Sequence, residues 1–360
     1  MWYCWKAISI KRANVAVKKV TIEAIAHAAG VSPATVSRVL NNKRNVRPEL
    51  AVRVKEVIAT LGYRPNEIAR GLVNGRASVF SVVVPDIDNP FFSKICKAIQ
   101  DTIGKDKYSL FLYNSNGVLD KEKEIIEELA ARLVKGVFLV APRMPPRDIL
   151  DLCKHYDISP VVVDAKVESY RLPAVWVDNT TAFIEATEYL IRNGHRKIGF
   201  IAGPHVVTNS EDRLRGYLLG LQRHGIEKAE SLIRESDYTI AGGYEAARYM
   251  FEEIESRPTA LICSNDLMAV GAMAYLRQKG IQIPDEVSII GCDDIDVAGS
   301  LYPPLTTIAQ PISKLGKVAA QLMLQYISHD ELPPKVILHA ELVVRESTSS
   351  NHEEVSNVGV

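Results

Sequence analysis

The chain has 360 residues, 47% apolar and 24% charged, the mix of a soluble globular protein with room for two or more domains. With 21 Gly and 18 Pro it is neither collagen-like nor of low complexity, and no apolar run approaches the roughly 18 residues that a membrane-spanning helix needs. The formal net charge of +0 hides an asymmetry: residues 1–78 carry 14 Lys/Arg against 4 Asp/Glu, and the other 282 residues carry 29 against 39. A small basic segment on a large acidic body points to a polyanion-binding head; the plainer reading is a solvated basic surface.

Residues 1–19 place their aromatic residues before their basic ones, the reverse of a signal peptide, and nothing in them argues for export. Cys4, Cys96, Cys153, Cys263 and Cys292 are odd in number and contain no C-x-x-C pair, which fits reduced thiols in a cytoplasm and offers no zinc or disulfide framework.

The head is expected to be helical. Thr21 suits the cap of a short helix over 22–29, with Ile22, Ile25, Ala26 and Ala29 at helical spacing, and Gly30 suits the left-handed position that ends it. Ser32 then caps a second helix with Pro33 at its first position, where a missing N–H costs nothing. Two short helices across a tight glycine turn form a helix-turn-helix. A third helix begins at Pro48, turns Leu50, Val54, Val57, Ile58 and Leu61 inward, and stops at Gly62.

With Val36, Val39 and Leu40 turned inward, Ala34, Ser37, Arg38 and Asn41 share the opposite face of the second helix. In a helix-turn-helix this helix enters the major groove. Arg38 is the side chain there able to grip guanine O6 and N7 with two hydrogen bonds. Pro33 and Ala34 suit close approach or a thymine methyl, and Ser32, Thr35, Ser37 and Asn41 are short donors suited to phosphates. The alternative is an ordinary surface helix with one exposed arginine.

The string VTIEAIAHAAGVSPATVSRVLNN over 20–42, continued by LGYRPN at 61–66 and IARGL at 68–72, closely resembles the LacI/GalR family of bacterial transcriptional regulators. The resemblance extends to about Ser347, some nine-tenths of the chain. It implies the following organisation: an N-terminal extension (1–19) that is disordered or upstream of the functional start, with Val15 or Val17 as candidate starts; a helix-turn-helix domain (20–65); a hinge helix and linker (66–77); an effector-binding and dimerisation core (78–348); and a disordered tail (349–360). Residues 66–74 are similar to the family's hinge helix, too short to be stable alone and weakened by Gly71 and Gly75. The resemblance places Leu72 at a minor-groove wedge and Asn66 and Arg70 near the DNA backbone; otherwise Leu72 is a linker residue packing on the body.

From Ser78 onward, short apolar runs alternate with amphipathic helices. Runs at 79–84, 109–113, 137–141 and 160–163, then 197–201, 260–263 and 287–291, read as buried strands of two parallel sheets. Open parallel sheets bind ligands beyond the carboxyl ends of their strands. The polar residues there include Asp86, Asp88 and Asn89 with Phe91 and Phe92; Asn114 and Ser115; Asp164; Asn209 and Arg213; Asn265 and Asp266; and Asp293 and Asp294.

The family resemblance implies an α/β core of two lobes like those of periplasmic binding proteins, an N-lobe of about 78–178 plus 311–340 and a C-lobe of about 179–310 plus 341–348. It places Arg213, Asp293, Asn265 and Tyr238 at effector-binding positions; among the residues at the strand ends, Asp88, Phe91, Phe92, Asp164 and Asn209 are further candidates. The plainer alternatives are that Asp86, Asp266 and Asp294 cap helices, that Arg213 is solvated, and that His195 is a turn residue; Met268 and Met273 read as core. Cys292 stands where the family often has a bulkier residue, so the pocket floor is expected to differ.

These readings lead to a cytoplasmic, homodimeric repressor that binds a pseudo-palindromic operator in double-stranded DNA under the control of a small-molecule effector, expected to be a sugar or sugar derivative. No cofactor and no membrane partner is implied. An alternative within the family is a catabolite-control regulator with a phosphocarrier protein as corepressor. An enzyme is disfavoured because the P-loop, G-x-G-x-x-G, H-E-x-x-H and G-x-S-x-G motifs are missing.

Overall fold

The computed structural model describes residues 20–40, 46–63, 79–106, 108–168, 170–329 and 332–350. The expected extension at 1–19, the hinge at 66–77, and the candidate DNA contacts Asn41, Asn66, Arg70 and Leu72 lie outside the described residues. The chain separates into two compact units, residues 1–75 and 76–360.

In the first unit, helix α1 (Ile22–Ala29) is capped by Thr21, whose Oγ1 accepts the Ala24 N–H at 3.3 Å. The helix ends at Gly30 with φ 62°, where a side chain would strain the turn. Two residues later Ser32 Oγ accepts the Thr35 N–H at 3.2 Å and Pro33 opens α2 (Pro33–Leu40). Helix α3 (Pro48–Leu61) closes the bundle. Ile25, Ala26, Ala29, Val36, Val39 and Val54 form its buried centre, with Val57, Ile58 and Tyr63 packed beside them. Two expectations for α3 need correction: Leu61 is 39% exposed, and Leu50 is only half-buried and lies outside the buried cluster. The Tyr63 ring packs there instead, because the Tyr63 N–H bonds back to the Ile58 carbonyl (3.1 Å) and folds the chain over the helix end.

The second unit contains two six-stranded sheets. The first is built from β1 (Val79–Val84), α4 (Pro90–Ile103), β2 (Ser109–Asn114), α5 (Leu119–Ala131), β3 (Gly136–Val140), α6 (Pro146–His155), β4 (Ser159–Val163) and β5 (Ala174–Val177). The chain then crosses to a second lobe: α7 (Asn179–Arg192), β6 (Ile198–Ala202), α8 (Thr208–Arg223), β7 (Ile233–Glu235), α9 (Ile240–Glu252), β8 (Ala260–Cys263), α10 (Asp266–Gln278), β9 (Ser288–Asp293) and β10 (Thr306–Ala309). It returns through α11 (Ile312–His329) and β11 (Val336–Leu338), and crosses once more to β12 (Glu341–Val343).

The strand orders are β11-β5-β4-β3-β1-β2 and β12-β10-β9-β8-β6-β7. Among the described residues every pairing is parallel except β12 on β10. Helix α11 packs on α4, β4 and β5, so the late segment completes the first lobe.

The long apolar runs form strands within one or two residues of their expected limits. The run at 109–113 differs in burial: β2 is an edge strand and leaves Phe111 39% and Leu112 44% exposed. Strands β5, β7, β10, β11 and β12, of three or four residues each, are too short to show a period. Ser349, expected to belong to the disordered tail, is instead held: its N–H bonds Ser288 Oγ at 3.1 Å and its hydroxyl bonds the Pro284 carbonyl at 3.1 Å. Among the described residues, no helix is long and apolar enough to cross a membrane.

Candidate functional site

The head presents α2 with Val36 and Val39 in the core and Pro33, Ala34 and Arg38 exposed. This follows from the helical period: the residues at 36 and 39 bury one face, so 34 and 38 must face away. Ser32 is also exposed, and its hydroxyl lies 3.0 Å from that of Thr35. Thr35 and Ser37 are half-buried at the edge of the same face.

In the body, a cavity of about 330 Å³ opens where the carboxyl ends of both sheets converge. The first lobe supplies Pro85, Asp86, Asn89, Phe91 and Phe92 after β1, Asn116 and Gly117 after β2, Ala141 and Arg143 after β3, and Asp164 after β4. The second lobe supplies Pro204, Val207, Asn209, Arg213, Asp237, Tyr238, Asn265 and Asp293. Among the described residues, eight that are not glycine have left-handed φ, and five of them line this cavity: Asn116, Ala141, Asp164, Tyr238 and Asp293. Such a residue at a strand end costs of order 1–3 kcal/mol and turns the side chain off the strand axis, a concentration of strain typical of functional sites.

Arg213 is 4% exposed and already bound. Its Nε donates to Asn179 Oδ1 (3.1 Å), its Nη1 to the Ser264 carbonyl (2.5 Å), and its Nη2 lies 4.0 Å from Asp293 Oδ1. Asn179 begins α7 just past one crossing between lobes. Gln310, at the next crossing, donates to the same Asn179 oxygen at 3.1 Å and to Cys292 Sγ at 3.4 Å. The cleft arginine is therefore tied to both crossings. Asn209 Nδ2 donates to the Asp164 carbonyl at 2.8 Å, bridging the lobes directly.

Burial pushes the Asp164 carboxyl up to about 6, against the pull of the Arg213 charge and of a hydrogen bond from Asn209. Its Oδ1 is buried with no hydrogen-bond partner among the described residues. Burial also raises Asp293 well above the carboxylate range, with Asp266 and Asp164 adding to the rise and Arg213 opposing it. Tyr238 is likewise raised, first by burial. Its phenol lies against Gly203, where an added Cβ would sit 2.0 Å from Tyr238 Cζ. Asn265 has its Oδ1 on the Met268 N–H (2.9 Å), capping α10, and its Nδ2 on the Tyr238 carbonyl (3.0 Å).

The cavity thus brings together Phe91, Phe92, Asp164, Asn209, Arg213, Tyr238, Asn265 and Asp293. Asp88 is the exception: it is exposed and outside the cavity. Its N–H is held by Asp86 Oδ1 at 3.0 Å in a local turn that directs the backbone toward the Asn89 cap of α4. Asp86 caps no helix. Asp266 accepts the Ile295 N–H and the Thr307 hydroxyl, and Asp294 pairs with Arg345 at 2.7 Å. Cys292 is fully buried behind the cavity and is not part of its wall. His195 is a buried turn residue between the hydroxyls of Thr259 (2.9 Å) and Ser288 (3.0 Å). Met268 and Met273 are core.

Sequence reasoning missed Arg143, Asn116 and Asp237 in the wall and Asn179 and Gln310 behind it. Their one shared signal is position, within a few residues of a strand end.

Residues 21–66 match the bacterial regulatory proteins of the lacI family, and residues 187–348 match the periplasmic binding protein-like domain. Catabolite control protein A of Priestia megaterium is 34% identical over 332 residues, covering 91% of this chain and 99% of that protein. The Lac repressor dimer bound to operator and the anti-inducer ONPF superposes with a TM-score of 0.85 at 26% identity, covering 92% of this chain and 100% of that one. A LacI family transcriptional regulator from Enterococcus faecium with bound ribose gives a TM-score of 0.69 at 29% identity, covering 76% of this chain and 99% of that one.

Proposed function

The chain belongs to the LacI family of bacterial regulatory proteins, and from that premise we propose that it binds its operator as a homodimer under the control of a sugar or sugar derivative held in the cleft. It is a sequence-specific DNA-binding transcriptional regulator. In this reading a helix-turn-helix spans 20–65, a hinge 66–77 and a two-lobed core 78–348. On the head, Arg38 reads a base edge, Pro33 and Ala34 allow close approach, and Ser32, Thr35, Ser37 and Asn41 position the helix on phosphates. Asn66, Arg70 and Leu72 contact the DNA from the hinge. No catalytic role is assigned, and the site of action is the cytoplasm.

The observation that carries the effector reading is the cleft itself. Its walls come from both lobes, and two buried carboxylates, Asp164 with an unpartnered Oδ1 and Asp293 at 4.0 Å, lie near Arg213. Carboxyl groups of this kind accept ligand hydroxyls, and the rings of Phe91, Phe92 and Tyr238 pack against sugar C–H surface. The relative from Enterococcus faecium holds ribose. A ligand gripping both lobes favours one lobe arrangement, and it alters DNA affinity only through its different affinity for the DNA-competent and incompetent states.

The homodimer is supported by the open edge of the first sheet. An apolar strand edge needs a cover, and β2 exposes Phe111 and Leu112, with Val118 49% exposed just beyond. A second copy supplies that cover.

The test is operator binding by the full chain, on DNA from upstream of its own gene, across a panel of pentoses, hexoses and their acids and phosphates. One responsive ligand that shifts operator affinity supports the reading. A second reading, corepression by a phosphocarrier protein, is favoured by the likeness to catabolite control protein A; an operator complex indifferent to every sugar but tightened by a phosphorylated phosphocarrier would establish it instead.

A further inference from the structure

The cavity wall contains six formal charges: Asp86, Arg143, Asp164, Arg213, Asp237 and Asp293. Most are already committed to the protein. Arg213 is bound by Asn179, the Ser264 carbonyl and Asp293. Asp86 Oδ1 accepts the Asp88 N–H, and Asp237 Oδ1 accepts the Thr239 N–H (3.0 Å) and hydroxyl (2.7 Å). Burial raises Asp164 and Asp293, so the floor resists holding two full negative charges. Arg143 stands apart: its charge is felt by the Glu122 carboxyl, but among the described residues its guanidinium makes no hydrogen bond or close ion pair.

Arg143 is nonetheless held in place. Glu122, on α5 and 2% exposed, accepts the Arg143 N–H on Oε1 (3.0 Å) and the Met144 N–H on Oε2 (2.9 Å). A buried carboxylate spent on two backbone amides fixes the loop after β3. The Arg143 Nε and Nη2 lie 3.6 and 3.9 Å from the point that a Cβ on Gly117 would occupy, so the guanidinium rests over bare backbone in the cavity wall. An arginine without a close partner, carried on a fixed loop at the mouth of the cavity, is a ready anion receptor, because the backbone that presents its planar fork is already ordered.

We infer that the ligand of this cleft is a polyhydroxylated anion, a sugar acid or sugar phosphate, whose negative group meets Arg143 while its hydroxyls reach Asp164 and Asp293. The inference rests on the effector reading proposed above and sharpens its ligand class. Arg143 is the specificity-determining contact and Glu122 the residue that positions it.

The test is calorimetric titration of the full chain, at fixed ionic strength, with glucose, glucuronate and glucose 6-phosphate, and with ribose, ribonate and ribose 5-phosphate. The expected result is that an anionic member binds at least about tenfold more tightly than its neutral parent. Arg143→Gln should then lose about ten- to a hundredfold of that affinity, the worth of a charge-assisted hydrogen bond, and leave the parent's unchanged. Because Arg143 is exposed, the variant is expected to fold, and unchanged operator binding without ligand checks that it does. A uronate or aldonate preference assigns the group as carboxylate, and a 6- or 5-phosphate preference assigns it as phosphate. A neutral sugar that binds as tightly as its anions and ignores Arg143→Gln overturns the inference and leaves the effector reading standing. No binding of any probe by a chain that still holds operator DNA overturns both.

Discussion

Replacing Asp164 by Asn tests the electrostatics of the cleft through stability. In the folded chain the Asp164 carboxyl ionises near 6, pushed there by burial, against 3.8 as its ordinary value. The folded state thus holds this proton more tightly than the unfolded chain does. The stability this confers is complete below the ordinary value and is lost as pH rises through about 6. A rise of this size corresponds to about 3 kcal/mol, of which about 2 kcal/mol is lost between about pH 4.5 and about pH 7.5. Asp164→Asn keeps the shape and removes the charge. Urea denaturation of both proteins across that interval should show the variant gaining at least about 2 kcal/mol on the wild type as pH rises, because removing the Asp164 charge also eases the rise of the neighbouring Asp293 carboxyl. The variant should at the same time lose affinity for the effector. A stability difference flat across pH, or one that moves against the variant at high pH, would refute a buried and costly carboxylate at this position.

Three further perturbations reach other parts of the molecule. Arg38→Ala should relax sequence choice at one base pair per half-site, at a cost of about 1–3 kcal/mol there; selection from a randomised operator library reads it, and equal weakening on all sequences would make Arg38 a phosphate contact. Gly203→Ala places a methyl 2.0 Å from Tyr238 Cζ and should abolish effector binding by calorimetry while unliganded operator binding persists; unchanged effector affinity would show that the ring is not part of the site. Asn179→Leu strips the acceptor from Arg213 Nε, leaving that buried donor unpaired, and leaves Gln310 Nε2 only the weak acceptor Cys292 Sγ. It should cost about 3 kcal/mol in urea denaturation, and a loss under about 1 kcal/mol would show that the network does little to hold the lobes.

The head was legible in the sequence because its signals are local. Thr21, Gly30, Ser32 and Pro33 act through bonds and backbone angles within three or four residues, and the apolar stripe of each helix repeats with the helical period. Leu61 broke the pattern because the chain folds back at the helix end, and Tyr63 took the packing position. In the body, long apolar runs marked the central strands, whereas a three-residue strand such as β11 has no period to read. The exposure of β2 is not legible in its sequence, because an edge strand and a central one share the same apolar run and strand order is a tertiary property.

The cleft was partly legible for the same reason. The rule that ligands lie beyond strand ends brings Asp164, Asn209, Asn265 and Asp293 into view. It leaves the direction of each side chain open. Asp88 is turned out by a two-residue bond from Asp86. Arg143 is turned in because Glu122, 21 residues earlier, clamps its loop. Asn179 and Gln310, 131 residues apart, meet only because the chain crosses between lobes at both.

The central claim is that the head reads a specific operator, and a footprint of the purified protein on its own upstream DNA tests it most directly. The account predicts a protected near-palindrome with two half-sites, whose occupancy falls steeply as salt is raised because each head neutralises several phosphates. No protection at low salt, or diffuse protection with no preferred sequence, would contradict it.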